Sequence, residues 1–98
     1  KQGGNMIEYS FTRIELLKDK TDNIIGLVIG MSAIDTETNA NAYIDTVHKL
    51  ETPVASLTND EIRNICLQVA QDNNWYSILH NNIESSKNEP TRIPISDI

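Results

Sequence analysis

The chain predicts an α+β fold: a three-stranded antiparallel β-meander followed by two C-terminal helices packed on one face. Three observations carry this. Apolar residues recur mostly at every second position before Ser56 and at every third and fourth position after it, so strand gives way to helix there. Thr58 and Glu61 mark the change with capping-box spacing, a hydroxyl at the N-cap and a carboxylate three residues on. The strand-like runs are joined by two short polar connections, which suit antiparallel neighbours.

The first strand opens with Ile7, Tyr9 and Phe11 on one side, and then Ile14 and Leu16 shift the apolar parity by one. A bulge near Thr12 or Arg13 explains the shift, because an inserted residue re-aims the side chains after it; a strand end splaying over a core edge is the alternative. Lys18 to Asn23 is a polar hairpin loop. The second strand, Ile24 to Ile34, offers Ile25, Leu27, Ile29, Met31 and Ala33 as its core face, since that set has no gaps. Gly26 and Gly30 lie on the other face and mark a bend or a place where another backbone comes close. Asp35 to Asn39 is a second turn. The third strand runs from Ala40 to Leu50, with Tyr43 and Val47 opposing Ala42, Ile44 and Leu50, and Pro53 forbids its simple continuation as a central strand. The first helix spans about Asn59 to Asp72, with Ile62, Ile65, Cys66, Val69 and Ala70 as one apolar stripe. Asn73-Asn74 breaks or kinks it, since Asn tolerates a left-handed conformation. Trp75, Ile78, Leu79, Asn82 and Ile83 then give a second helical stripe, ending near Ser86.

Ninety-eight residues make a single domain, taken as 6–98. Lys1 to Asn5 reads as a vector remnant ahead of Met6, and 87–98, with Pro90 and Pro94, as an extended or mobile tail. A net charge of −6, with the eight basic residues scattered, argues against nonspecific nucleic-acid binding, which needs clustered Lys and Arg. The longest apolar stretch is eleven residues broken by glycine and serine, too short for a membrane span, and no apolar signal region follows the polar opening. A single cysteine excludes an intrachain disulfide and fits a reducing compartment.

No catalytic, cofactor-binding or metal-binding constellation stands out, so an enzyme is not expected. His48 on the third strand and His80 on the second helix have no partners at ligand spacing. Cys66 sits in an apolar stripe, where a free thiol is a small hydrophobe. Asp35, Glu37, Asp45 and Glu51 read as solvated charge, and Asp19, Asp22 and Asn23 lack the spacing of a calcium loop. The candidate interface residues are aromatic or apolar. Trp75 and Tyr76 serve as a core anchor or as an anchor for another subunit. Tyr43 and Val47 lie outside if Ala42 and Ile44 face the core, and an exposed apolar pair on a sheet suggests association. An uncovered edge strand adds to the expectation of a homodimer.

The strand Tyr9-Ser10-Phe11-Thr12-Arg13-Ile14, the strand Ala42-Tyr43-Ile44-Asp45-Thr46-Val47, the helix start Leu57-Thr58-Asn59-Asp60-Glu61-Ile62 and the ending Asn82 to Pro90 together resemble a family of small uncharacterised proteins of tailed phages, especially those of marine bacteria and cyanobacteria. The resemblance covers most of Ile7 to Pro90. It departs at Gly30-Met31, where that family's pattern has an aromatic. It carries no catalytic residue. It implies a viral origin, a location in the host bacterial cytoplasm or the virion, and a non-enzymatic role through protein–protein contact as a minor virion structural or assembly component. The alternative is a small host-takeover factor that binds and inhibits a bacterial protein. The expected partners are therefore a second copy of the chain and a phage or host protein.

Overall fold

The computed structural model describes residues 6–88, with side chains as far as Ser85. The expectations for Lys1 to Asn5 and for 89–98 lie outside the described residues. Strands β1 (Ile7–Lys18), β2 (Ile24–Asp35) and β3 (Asn41–Val54) are followed by helices α1 (Asn59–Asp72) and α2 (Trp75–Asn88). The sheet order is β1-β2-β3 with both pairings antiparallel, which is the expected α+β meander with C-terminal helices. Lys87 and Asn88, expected in the tail, instead complete α2.

Both hairpin turns are built around an aspartate that satisfies backbone donors, as Asx-turns do. In the first, Asp19 Oδ1 accepts from the Thr21 N–H at 2.8 Å and the Asn23 N–H at 3.0 Å, and Asp22 takes φ 71°. The second is closed by Asp35, whose Oδ1 accepts from the Glu37 N–H at 2.8 Å and the Thr38 N–H at 3.3 Å, with Asn39 at φ 63°. Asp35 is buried, which corrects its reading as solvated charge. Its carboxylate is what lets a turn backbone sit against the sheet end without unsatisfied N–H groups.

Register explains the parity changes. Phe11 pairs with Met31 and Arg13 with Gly30, so Thr12 is the inserted residue and the expected bulge is present. As a result Ile14 and Leu16 share a face with Ile29 and Leu27. A second irregularity falls at Ile25: Leu17 pairs with Gly26 and Lys18 with Ile24, while on the other side Ile24 meets Val54 and Gly26 meets Lys49. Ile25 is thereby turned outward, 39% exposed, and Ile24 is buried in its place. This corrects the core face read from simple alternation, which placed Ile25 inward. β3 also runs past Leu50 to Val54. Pro53 is tolerated because β3 is an outer strand and the residues Leu50–Pro53 bulge out of register.

Above the sheet, α1 starts with the full capping box. Thr58 Oγ1 accepts from the Glu61 N–H at 3.1 Å, and Glu61 Oε1 accepts from the Thr58 N–H at 2.8 Å. Asn73 closes the helix by donating from Nδ2 to the Val69 carbonyl at 2.9 Å, and Asn74 turns the chain at φ 56° into α2. The core joins Leu27, Ile29, Met31 and Ala33 of β2 to Cys66, Val69 and Ala70 of α1 and to Trp75, Leu79 and Ile83 of α2. The buried stripe of α2 is thus narrower than expected: Ile78 and Asn82 are exposed, and only the i, i+4, i+8 residues are covered. α2 makes the main helix–sheet contact, over β2 and β3.

Candidate interaction surface

The face of the sheet opposite the helices is uncovered. Pairing sets its side chains in rows across the strands: Ser10–Ser32–Tyr43, Arg13–Gly30–Asp45 and Glu15–Val28–Val47. Tyr43 is 49% exposed and Val47 54% exposed, with Ile34 also exposed beside them. Since Ala42 and Ile44 pack against the core, Tyr43 and Val47 lie outside, the arrangement on which their candidacy depended.

At the centre of this face a missing side chain makes the geometry. A Cβ on Gly30 would collide with the Tyr43 hydroxyl and lie 2.8 Å from its Cζ, so the phenol ring lies across the glycine. The Tyr43 hydroxyl donates to Asp45 Oδ2 at 3.0 Å, Arg13 reaches the same oxygen at 3.5 Å, and Arg13 Nε donates to Glu15 Oε2 at 2.7 Å. Thr12 and Ser32 hydroxyls bond at 2.8 Å next to this chain. The Arg13 guanidinium is held above its ordinary value, first by Glu15 and then by Tyr43. These exposed contacts orient the surface more than they stabilise it. Gly26 has a different reason. Its Cβ would lie 2.8 Å from the His48 carbonyl oxygen, the close backbone approach that is one of the two readings of the glycines.

The other candidate residues separate. Trp75 is buried in the core cluster, so it anchors the helix to the sheet and offers no surface. Tyr76 is partly exposed and stacks edge-on against Tyr9, ring centroids 5.1 Å apart at 76°. Burial, and next the neighbouring Tyr76, raises the Tyr9 phenol above its ordinary value. On the helix side, Ile14 is 45% exposed and Leu16 38% exposed, although their strand partners Ile29 and Leu27 are fully buried. The helical layer covers Ile7, Tyr9 and Phe11 but stops short of the second half of β1.

The residues with reactive groups do not converge. His48 lines an open groove of about 460 Å³ with Lys49, Leu50, Glu51, Thr52, Val54 and Leu57. His80 stands apart on α2, 3.9 Å from Glu84 one turn on. Cys66 is buried, and burial raises its thiol above the ordinary range, which disfavours the nucleophilic thiolate. The Asp19 carboxylate is held below its ordinary value by the Thr21 hydroxyl and the Asn23 N–H, and Lys18 lies 3.7 Å from Asp22, so the oxygens of that loop serve the turn. Among the described residues no group of three or more His, Cys, Asp or Glu could hold a metal ion, and no helix is long and apolar enough to cross a membrane.

Sequence reading missed two features. Alternation placed Tyr43, Asp45 and Val47 together, but only the bulge at Thr12 brings Arg13 into their row, and its residue was not fixed by pattern. The exposure of Ile14 and Leu16 depends on where the helices end over the sheet, which periodicity does not encode. Comparison with protein-family models, with curated proteins and with solved structures finds nothing that matches this chain.

Proposed function

We propose that this chain is a non-enzymatic protein that works by contact with other proteins, as a minor structural or assembly component of a phage particle, and that it self-associates as a dimer. The observation that supports contact with another protein is the uncovered sheet face, where Tyr43 and Val47 stand half in water around an Arg13–Asp45–Tyr43 cluster, and the one that supports self-association is the outer edge of β1, which pairs with no described strand but β2. A tyrosine oriented by the hydrogen bond from its hydroxyl to Asp45, with an adjacent valine, forms the kind of mixed apolar–polar patch that protein partners cover. Tyr76 is a second exposed aromatic. The partner in this reading is a protein, not a nucleic acid or a membrane: the net charge is −6 and the face mixes both signs. The phage setting, in host cytoplasm or virion, rests on the resemblance through Tyr9–Ile14, Ala42–Val47 and Leu57–Ile62.

A host-takeover factor that binds and inhibits a bacterial protein is the second reading, favoured by the acidic balance, which lets the surface compete for basic sites. Mass spectrometry of purified virions tests the first reading, and detection at stoichiometric levels is the expected result. Absence from virions, with capture of a single host protein by the wild-type chain but not by Tyr43→Ser/Val47→Ser, would replace it with the second.

A further inference from the structure

We infer that the dimer forms through the outer edge of β1, about a two-fold axis at Ile14. This rests on the self-association proposed above and adds its surface and register.

The edge is available. Among the described residues β2 is the only strand paired with β1, so the outward N–H and C=O groups of β1 are open to another strand. The opposite edge of the sheet, β3, carries Pro53, which has no N–H to donate; β1 holds no proline. The helix side of the same segment is also unfinished. Ile14 and Leu16 continue the rows of the fully buried Ile29 and Leu27, yet remain in water because the helices do not reach them. A strand added at this edge would set apolar side chains beside them.

Charge selects a second copy and one register. In an antiparallel pair related by a two-fold axis normal to the sheet, directly opposite residues share a face, so the residue on the axis meets itself. An axis at Arg13 sets arginine against arginine, and an axis at Glu15 sets glutamate against glutamate; like charges directly opposite are destabilising. An axis at Leu16 sets no two charged residues of β1 opposite each other. An axis at Ile14 places Arg13 opposite the partner's Glu15 and Glu15 opposite the partner's Arg13, two unlike pairs from one symmetry operation. On the helix side that axis sets Ile14 against the partner's Ile14, with Leu16 of each copy alongside. The Thr12 bulge ends regular alternation beside this window, so the ladder is short. A small, exchanging interface follows, and because each copy presents the same edge, assembly closes at two.

Oxidative cross-linking and charge reversal test this on the full chain. The Ile14→Cys variant should link to itself, since directly opposite strand residues lie within disulfide reach. Arg13→Cys and Glu15→Cys should each link poorly alone and well when mixed. Buried Cys66 serves as the internal control. Glu15→Arg should weaken the dimer by about ten-fold or more, and Arg13→Glu/Glu15→Arg should restore it, with circular dichroism confirming a folded chain throughout. A dimer that ignores both charge variants and gives no Ile14→Cys cross-link overturns the inference while leaving self-association standing. A dimer abolished by Val47→Ser and not by Glu15→Arg also overturns it, in favour of the open face. A wild-type chain that stays monomeric by light scattering at its highest soluble concentration sinks the self-association itself.

Discussion

One strand, β2, carries both sides of this molecule. Leu27, Ile29, Met31 and Ala33 lie shut away beneath the helices, while the alternate residues Val28, Gly30, Ser32 and Ile34 belong to a face that nothing in the described fold covers. The two sides are held by different physics. The covered side is close-packed, so loss of atoms leaves a cavity that rigid neighbours fill poorly. The open side is held by strand pairing, by a ring lying on a glycine and by exposed ion pairs whose loss water makes good. A residue's value to stability in this chain is therefore set by which way its strand position faces, and much less by how apolar it is.

The largest effects should come from the covered side. Trp75→Ala and Leu79→Ala each remove a buried side chain that joins α2 to the sheet, and each should cost about 3–5 kcal/mol. Native stability for a domain of this kind is about 5–15 kcal/mol, so both variants should sit close to unfolding in a urea titration. A loss below about 1 kcal/mol, the ordinary range for surface changes, would break the distinction between the faces.

The two glycines sharpen it. Gly26→Ala pushes a methyl against the His48 carbonyl, which is backbone in a paired strand and has little room to give. That overpacking should cost about 1–3 kcal/mol. Gly30→Ala meets only the Tyr43 ring, an exposed side chain that can swing outward, and its cost should be the smaller of the two. In a Tyr43→Ala background the Gly30 cost should vanish while that at Gly26 is unchanged, a double-mutant cycle read by chemical denaturation. Equal penalties at both positions would show that the ring is as immovable as backbone.

Thr58→Ala tests the junction that turns the sheet into a helical protein. It removes the hydroxyl that caps Glu61 N–H, and should cost about 1 kcal/mol with a matching loss of helical circular dichroism. Cys66 gives a pH test of the same helix. Burial raises its folded-state ionisation above the ordinary 9.0, so the unfolded chain releases the proton first. Stability should be unaffected by this group below that ordinary value and should fall as pH rises from it towards the folded-state value; Cys66→Ala should remove that part of the alkaline loss.

Most of the fold was legible because local signals agreed with one another. The Thr58–Glu61 box, the stripe from Ile62 to Ala70 and the Asn73-Asn74 break set both boundaries of α1, and alternation set three strands in the observed order. Three of the errors share one cause. Ile25, the extension of β3 through Pro53 and the width of the α2 stripe each depend on pairing with a distant segment, and a bulge can move parity without leaving a residue signature. The surface was less legible still. Tyr43 and Val47 follow from period two, while Trp75 reads first as a core anchor and second as an anchor for another subunit, and the sheet beneath it decides for the core.

The smallest effect is the most informative about function. Val47→Ser trades an exposed methyl pair for a hydroxyl on the uncovered face, with no core contact to lose. Its cost to folding should be within about 0.5 kcal/mol. Interface positions near the centre of a patch behave differently, because a partner that excludes water from them makes their apolar area count. If the proposed contact with another protein uses this face, the same substitution should leave the urea midpoint unmoved and reduce capture of that protein by the immobilised chain. If instead Val47→Ser weakens folding as much as Thr58→Ala does, the valine contributes to the sheet itself, and the open face would have to be read as a second structural surface.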